Sequence, residues 1–113
     1  MLSKTEKVLV DGALSRYADA RIPVHLRNKV RLTHFWWGSA VTLVEERVYF
    51  QDPSRWTKHG VARFRYVSAT KRWVLYYPDQ HGRFHIYSRA KPSRAIQTLL
   101  DEVSRDPTGI FGG

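Results

Sequence analysis

Residues 61–88 read VARFRYVSATKRWVLYYPDQHGRFHIYS. Apolar and polar side chains alternate in three runs of this stretch, at residues 61–67, 73–77 and 83–88, and alternation with a period of two is typical of a strand. The segments 68–72 and 78–82 between them have the composition of turns. Because short connections favour antiparallel neighbours, the stretch predicts three consecutive strands of a meander.

Two more strands are expected upstream of this stretch. In residues 30–37 Val30, Leu32, His34 and Trp36 alternate with Arg31, Thr33, Phe35 and Trp37. Gly38 and Ser39 supply a turn, and residues 40–50 return as a second β-rich run, so the pair is predicted to form a hairpin. Residues 51–54 have the composition of a loop. The adjacent Trp36 and Trp37 must face opposite ways, which predicts one tryptophan in the core and one at a contact surface.

A helix is predicted at each end of the five strands. At the first, Ser3 and Glu6 fit a capping box, and Pro23 is expected to end the helix. The second is predicted to open at Pro92 and to stop at Asp106–Pro107, with Ile110 and Phe111 packing back on the body. Each has an apolar stripe at helical spacing: Val10, Ala13, Leu14 and Tyr17 in the first, and Ile96, Leu99, Leu100 and Val103 in the second.

The sequence therefore predicts the α+β class. The expected order is an N-terminal helix, a five-stranded antiparallel meander sheet and a C-terminal helix, forming a single α+β domain over residues 1–113. A chain of 113 residues has room for one modest hydrophobic core.

The charge of the chain is concentrated in residues 53–97. This window holds ten Lys or Arg residues against one acid, Asp79, and so accounts for the whole formal net charge of +9. It also holds eight of the fifteen aromatic residues. A basic and aromatic stretch is typical of a surface that binds a polyanion, such as nucleic acid or an acidic protein.

The composition also bears on location. The chain has no cysteine, which suits a reducing cytoplasm and excludes disulfides and thiolate metal sites. The N-terminus has neither the long apolar run nor the cleavage pattern of a signal peptide, and no stretch approaches the roughly 20 apolar residues that cross a bilayer. We expect a cytoplasmic protein with no membrane contact.

Alternation along the strands places the charges on one face of the sheet. One consistent arrangement buries Phe64, Tyr66, Trp73, Leu75, Phe84 and Ile86 under a helix. The reverse face then presents Arg63, Arg65, Tyr76, Arg83, His85 and Tyr87, and Lys71 and Arg72 lie at a neighbouring turn. These eight residues are the predicted nucleic-acid-binding set. In this interpretation the Arg and Lys side chains contact phosphates, and Tyr76 and Tyr87 stack on unpaired bases. The alternative is an ordinary solvated sheet face, with Arg stems covering aromatic rings.

Residues that could perform chemistry are few. Glu45 and Glu46 are adjacent in a strand, so they point to opposite faces, and a structural ion pair with Arg47 or with a neighbouring strand is expected. No histidine spacing fits a metal site, and no phosphate-binding loop or nucleophile motif occurs, so neither a metal nor a cofactor is predicted. His85 could form an acid–base pair with Glu46 or Asp79 if the fold brings them together.

Six pieces of the sequence resemble a protein family whose function is unassigned. They are VTLVEER at 41–47, DPSRWT at 52–57, VARFRY at 61–66, WVLYY at 73–77, FHIY at 84–87 and DPTGIF at 106–111. Together, and in this order, they resemble an uncharacterised bacterial family, DUF3024, over roughly residues 22–113. The resemblance implies a small α+β domain and brings no activity, cofactor or catalytic residue. Members often end in IFWG, whereas this chain ends in IFGG.

Three functional hypotheses follow. The first is a non-enzymatic binding module that engages DNA or RNA through its basic sheet face. The second is a protein-interaction subunit that binds an acidic protein partner through Trp36 or Trp37 and the basic surface. The third is a small hydrolase or nuclease that uses His85 with Glu46 or Asp79, which requires these side chains to converge in a cleft.

Overall fold

The computed structural model describes residues 2–112, which form two α-helices and a five-stranded antiparallel sheet. The helices are α1 (Lys4–Arg21) and α2 (Ile96–Arg105), and a single 3-10 turn (Val24–Leu26) follows α1. The strands are β1 (Val30–Trp37), β2 (Ala40–Tyr49), β3 (Asp52–Val67), β4 (Arg72–Pro78) and β5 (Phe84–Ile86). They lie side by side in chain order, so the predicted α+β class and meander are confirmed.

Helix α1 begins and ends where the sequence predicts. The Ser3 hydroxyl accepts a hydrogen bond from the Glu6 backbone N–H at 3.0 Å, and the Glu6 carboxylate accepts one from the Ser3 backbone N–H at 3.2 Å. This is the predicted capping box, which satisfies two backbone donors that a helix start leaves free. The helix ends at Arg21, before Pro23, and its four predicted apolar residues are all buried.

Strand β3 is longer than predicted, since it begins at Asp52 rather than at residue 61. Residues 56–60 pair with the second half of β2, and a register shift between Leu43 and Val44 interrupts the ladder. The composition of residues 51–54, with Pro53, indicated a loop instead. Backbone pairing with β2 outweighs that local preference, because a strand with a long partner gains ladder hydrogen bonds whatever its side chains.

Helix α2 begins at Ile96, four residues after the predicted start at Pro92. The reason lies in Ser93, which exchanges two backbone hydrogen bonds with Trp73 on β4, at 2.7 and 3.0 Å. This bridge holds the chain extended beside the sheet before it can coil. The end of the helix is as predicted, because Asp106 adopts a left-handed conformation with φ of 42° and Pro107 follows.

Both helices pack on the same face of the sheet. Leu14 of α1 and Leu99 and Leu100 of α2 are fully buried against Phe64 and Leu75 of the central strands. Phe111 of the tail is also buried and Ile110 packs beside it, as predicted. Within residues 2–112 the opposite face of the sheet has no helix over it. None of the helices in this part of the chain is long and apolar enough to cross a membrane.

The faces of β5 are the reverse of the predicted ones. Tyr76 pairs with Ile86 and Tyr77 with His85, and these pairings put Ile86 on the uncovered face. Ile86 is 61% exposed, whereas Tyr87 is buried with 3% exposure. The prediction that Phe84 and Ile86 lie under a helix is therefore wrong. Since the period of a strand is two, a register displaced by one residue exchanges every side chain between the faces.

Candidate nucleic-acid interface

The uncovered face of the sheet, here called the open face, is built from rows of cross-strand neighbours. The register defines the central row as Phe35, Thr42, Arg63, Tyr76 and Ile86. The next row towards the β1–β2 turn is Trp37, Ala40, Arg65 and Val74. On the other side follow Thr33, Val44 and Gly60, and then Arg31, Glu46 and Lys58. Glu46 is the one acid in these four rows, against four Arg or Lys side chains.

Large apolar side chains are exposed on the open face. Trp37 is 83% exposed and Phe35 is 49% exposed, and the two stand on one edge strand two residues apart. Trp36 lies on the other face, packs against the core and donates its indole N–H to Asp11 at 2.8 Å. The prediction that one of the two tryptophans is in the core and the other exposed is confirmed. An exposed aromatic ring on a sheet is a surface on which an unpaired base can stack.

Arg63 is held in a fixed orientation at the centre of the open face. Its Nε donates a hydrogen bond to the Thr42 hydroxyl at 2.9 Å, and its guanidinium carbon lies 4.2 Å from the centre of the Phe84 ring. Phe84 reaches this position because Gly60 has no side chain: a Cβ there would lie 2.8 Å from the end of the Phe84 ring. The guanidinium keeps donors that Thr42 does not use, so it can still contact an anion.

Arg65 and Arg72 add further positive charge to the same face. Both side chains are exposed, and no carboxylate of residues 2–112 forms a salt bridge with either. Arg65 lies in the row of Trp37, and Arg72 is paired with Val67 at the end of β3. Because neither cation is neutralised within the described part of the protein, each is available to a phosphate.

The acid of the open face is neutralised internally. Glu46 is buried and accepts hydrogen bonds from the Thr33 hydroxyl at 2.8 Å and from Arg31 at 3.3 Å. The Thr33 bond, supported by Arg31, holds the pKa of this carboxyl below its usual range despite its burial. Arg31 in turn stacks on Trp56 at 4.0 Å. The predicted structural role of Glu45 and Glu46 is confirmed, since Glu45 pairs with Arg47 at 2.6 Å.

The structure brings together only part of the predicted binding set. Arg63, Arg65, Arg72 and Tyr76 share the open face. Lys71 occupies the β3–β4 turn and lines a cavity on the helix side with Glu6 and Trp73. Arg83 lies in the β4–β5 turn, where its backbone N–H donates to the Asp79 carboxylate at 3.0 Å. His85 and Tyr87 lie on the helix side of β5.

Tyr87 is a core residue rather than a stacking surface. Its hydroxyl donates a hydrogen bond to Glu102 of α2 at 2.7 Å, and its ring contacts Phe111 at a centroid distance of 5.0 Å. Burial, together with the neighbouring Glu102 carboxylate, raises the pKa of Tyr87 above its usual value. The predicted exposure of Tyr87 is therefore wrong, and no base can reach its ring in this fold.

One of the two predicted acid–base pairs forms. His85 Nε2 lies 2.7 Å from Asp79 Oδ2, whereas Glu46 lies on the open face, across the sheet from His85. Asp79 also accepts hydrogen bonds from the backbone N–H groups of His81 and Arg83. The His85 bond and these backbone bonds lower the pKa of Asp79 to about 2. Asp79 thus fastens the β4–β5 turn, and its fixed negative charge makes it a poor proton donor or acceptor near neutral pH.

The predicted set omitted Phe35, Thr42 and Ile86 from the open face, and placed Trp37 outside the nucleic-acid site. A signal was present in the alternation of β1, which groups Arg31, Thr33, Phe35 and Trp37 on one side. The sequence did not show that this side is also the side of Arg63, because that depends on the register between β1, β2 and β3. Within residues 2–112 no group of three or more His, Cys, Asp or Glu could hold a metal ion.

The fold and the open face define a small α+β protein in which one face of an antiparallel sheet supports the core and the other, within residues 2–112, has no helix over it. The chain belongs to a family described as a domain of unknown function, DUF3024, whose sequence model matches residues 2–113. The family suspected from the six sequence pieces is therefore confirmed. No curated protein and no solved structure matches the chain.

Proposed function

We propose that this protein is a non-enzymatic binding module that engages single-stranded nucleic acid through the open face. The observation that supports this most is the pairing of exposed rings with unneutralised cations in adjacent rows: Phe35 with Arg63, and Trp37 with Arg65. Bases stack on the rings while the guanidinium groups contact phosphates. A cytoplasmic location, which the cysteine-free sequence favours, belongs to the same proposal.

A duplex fits this surface less well than a single strand. Bases can stack on Trp37 and Phe35 only when they are unpaired and turned outwards, and the open face of the sheet presents no helix to enter a major groove. Base–aromatic stacking tolerates any base, so the binding is expected to show little sequence preference.

Fluorescence anisotropy with labelled oligonucleotides tests the proposal. Single-stranded DNA or RNA should bind more tightly than the duplex of the same sequence, and the logarithm of the binding constant should fall linearly with the logarithm of salt concentration. Replacing both Arg63 and Arg65 with Gln should weaken binding and flatten that slope by about 2, because each arginine is expected to neutralise one phosphate.

A matched control separates a site from a general effect of charge. The double variant Lys4→Gln, Arg16→Gln removes the same two charges from exposed positions of α1, on the other side of the sheet. It should leave the slope nearly unchanged. An equal loss in both double variants would show that binding follows net charge alone and would refute the open-face proposal.

A second candidate function is contact with an acidic protein partner. The observation in its favour is the apolar character of the open face, where Trp37, Phe35 and Ile86 are all exposed. Exposed apolar groups surrounded by charged ones are typical of protein interaction sites. Capture of a stoichiometric partner from nuclease-treated lysate by the unchanged protein, but not by Trp37→Ala, would favour this candidate over nucleic acid.

A further inference from the structure

A cavity lies on the helix side of the sheet, away from the open face. It occupies about 310 Å³ between the end of α1, the middle of β2 and β3, the β4–β5 turn and the C-terminal tail. A volume near 300 Å³ is at the lower end of the range of small-molecule sites in proteins. This helix-side cavity is independent of the proposed function, since Gly60, which has no side chain, is the one residue of the open-face rows that also lines it.

Apolar groups make up about half of the wall of the helix-side cavity. The rings of Tyr17 and Phe111 line it together with aliphatic side chains, among them Leu32, Val61 and Ile110. The backbone of β3 at Gly60 lines it as well. An apolar or aromatic group of a ligand would leave water on entering such a space, which favours binding.

Polar groups at the cavity offer donors more than acceptors. The Arg21 guanidinium lies over the Tyr17 ring at 5.7 Å and has no salt bridge to any residue of 2–112. His59 lines the cavity as well. Both carboxylates of the wall already have partners: Glu45 pairs with Arg47 through one oxygen, and Asp79 accepts from His85 and from two backbone N–H groups.

The Tyr17 hydroxyl is an independent sign that an acceptor is missing. Tyr17 is more than nine-tenths buried, and its hydroxyl has no hydrogen-bond partner among residues 2–112. Buried hydroxyl groups in proteins are nearly always hydrogen-bonded, since an unpaired one is costly. A ligand oxygen in the cavity, placed between Tyr17 and Arg21, would accept this bond and meet the unpaired cation.

We propose that the helix-side cavity binds a small organic carboxylate with an apolar or aromatic body. The carboxylate accepts from the Tyr17 hydroxyl and the Arg21 guanidinium, and the body packs between Tyr17 and Phe111. An anion without such a body should bind more weakly, because it buries no apolar surface. An amine with the same body should also bind more weakly, because its positive charge is repelled by Arg21.

Three probes that differ in one feature each test this proposal by amide NMR. They are 3-phenylpropionate, phenethylamine with the same ring but the opposite charge, and inorganic phosphate without an apolar body. The proposal predicts saturable shifts at the amides of Arg21, Gly60 and Gly112 with 3-phenylpropionate alone. Equal or tighter binding of phenethylamine, shifts with phosphate alone, or no saturable binding of 3-phenylpropionate would each overturn it.

Variants place the binding in the cavity. Arg21→Gln and Tyr17→Phe should each weaken binding of 3-phenylpropionate about tenfold, as expected for the loss of a hydrogen bond to a charged group. Arg16→Gln, which makes the same charge change on the same helix outside the cavity, should leave the affinity unchanged. Tyr17→Phe keeps the ring in the core, and its thermal midpoint verifies that it folds. Unchanged affinity in folded Tyr17→Phe and Arg21→Gln would refute the assigned contacts.

Discussion

Trp37 and Phe50 have the same exposed fraction, 83%, but only Trp37 lies on the open face. Phe50 lies in the turn between β2 and β3. If bases stack on Trp37, Trp37→Ala should weaken binding of a single-stranded oligonucleotide by about 1 to 3 kcal/mol, the usual contribution of one base–aromatic stack. Because the ring is exposed, its loss should change the free energy of unfolding by no more than about 0.5 kcal/mol.

Phe50→Ala is the matched control for this prediction, since it removes an equally exposed ring from a different surface. Titrations by anisotropy at one salt concentration, and chemical unfolding of both variants, provide the comparison. Equal losses of affinity in the two variants would indicate non-specific contact with any exposed ring and would contradict the assignment of Trp37.

Tyr87 belongs to the fold, and its substitution should affect stability alone. Tyr87→Phe removes the hydroxyl that donates to Glu102 while it keeps the ring against Phe111. Loss of a buried hydrogen bond to a carboxylate should lower the free energy of unfolding by about 1 to 2 kcal/mol. Urea unfolding measures this change. Tyr49→Phe, which removes a hydroxyl bonded to Gln51 at the surface, should change stability much less.

The same variant also tests the finding that Tyr87 lies on the helix side of the sheet and not on the open face. The affinity of folded Tyr87→Phe for a single strand should equal that of the unchanged protein. A selective loss of affinity with unchanged stability would contradict the burial of Tyr87 and restore it as a stacking residue.

At the scale of single residues, the sequence predicted the environment of a side chain where that environment depends on neighbours along the chain. The capping box of Ser3 and Glu6 and the opposite faces of Trp36 and Trp37 follow from spacing along the chain. The environment of Tyr87 does not, because it depends on Glu102 and Phe111, which are distant in sequence. A tyrosine in an alternating run is equally compatible with either face.

At the scale of elements, β5 shows why the presence of a strand is easier to predict than the sheet face on which each of its side chains lies. Its alternation identified a strand, but the strand has only three residues, from Phe84 to Ile86. Its face is set by the pairing of Tyr76 with Ile86, which follows from the length of the β4–β5 turn. The predicted start of α2 was wrong for a similar reason. The bridge between Ser93 and Trp73, which delays the helix, is a tertiary contact that the local sequence does not show.

The β4–β5 turn should respond to acid in a defined way. The pKa of Asp79 is lowered to about 2 in the folded protein, from an ordinary value of 3.8. A folded-state pKa below the unfolded one means that Asp79 stabilises the turn fully above pH 4 and loses this contribution as the pH falls from about 4 to about 2. The amide resonances of His81 and Arg83, which donate to this carboxylate, should titrate with the lowered pKa.

Asp79→Asn provides the comparison for this titration. In that variant the two amides should show no acid transition of this origin, and the β4–β5 turn should already be less stable at neutral pH. Titration of the two amides near the ordinary aspartate pKa in the unchanged protein would contradict the strength assigned to the His85 bond.

At the scale of the whole molecule, the decisive feature is that α1 and α2 pack on one face of the sheet. The amphipathic stripes predicted both helices, but a stripe does not state which sheet face it will cover. In the structure the covered face is the one that buries Phe64, Trp73 and Leu75 together, which removes their apolar area from water. The result divides the molecule into a core side and a face with cations and exposed rings.

Only some of the cations in the basic window of the sequence lie on the open face. Of the cations in the window 53–97, Lys58, Arg63, Arg65 and Arg72 lie on the open face. Cations from β1 join them, as Arg31 does, although β1 lies outside the window. The basic window of the sequence therefore predicted that a surface would be positively charged, while the register between strands determined which residues form that surface.

Amide NMR mapping with an unlabelled single-stranded oligonucleotide tests whether the open face is the nucleic-acid interface. Saturable shifts are expected at Phe35, Trp37, Thr42, Arg65 and Tyr76, with little change along α1 and α2. Shifts confined to the helix side, or the absence of saturable shifts at physiological salt, would contradict this assignment.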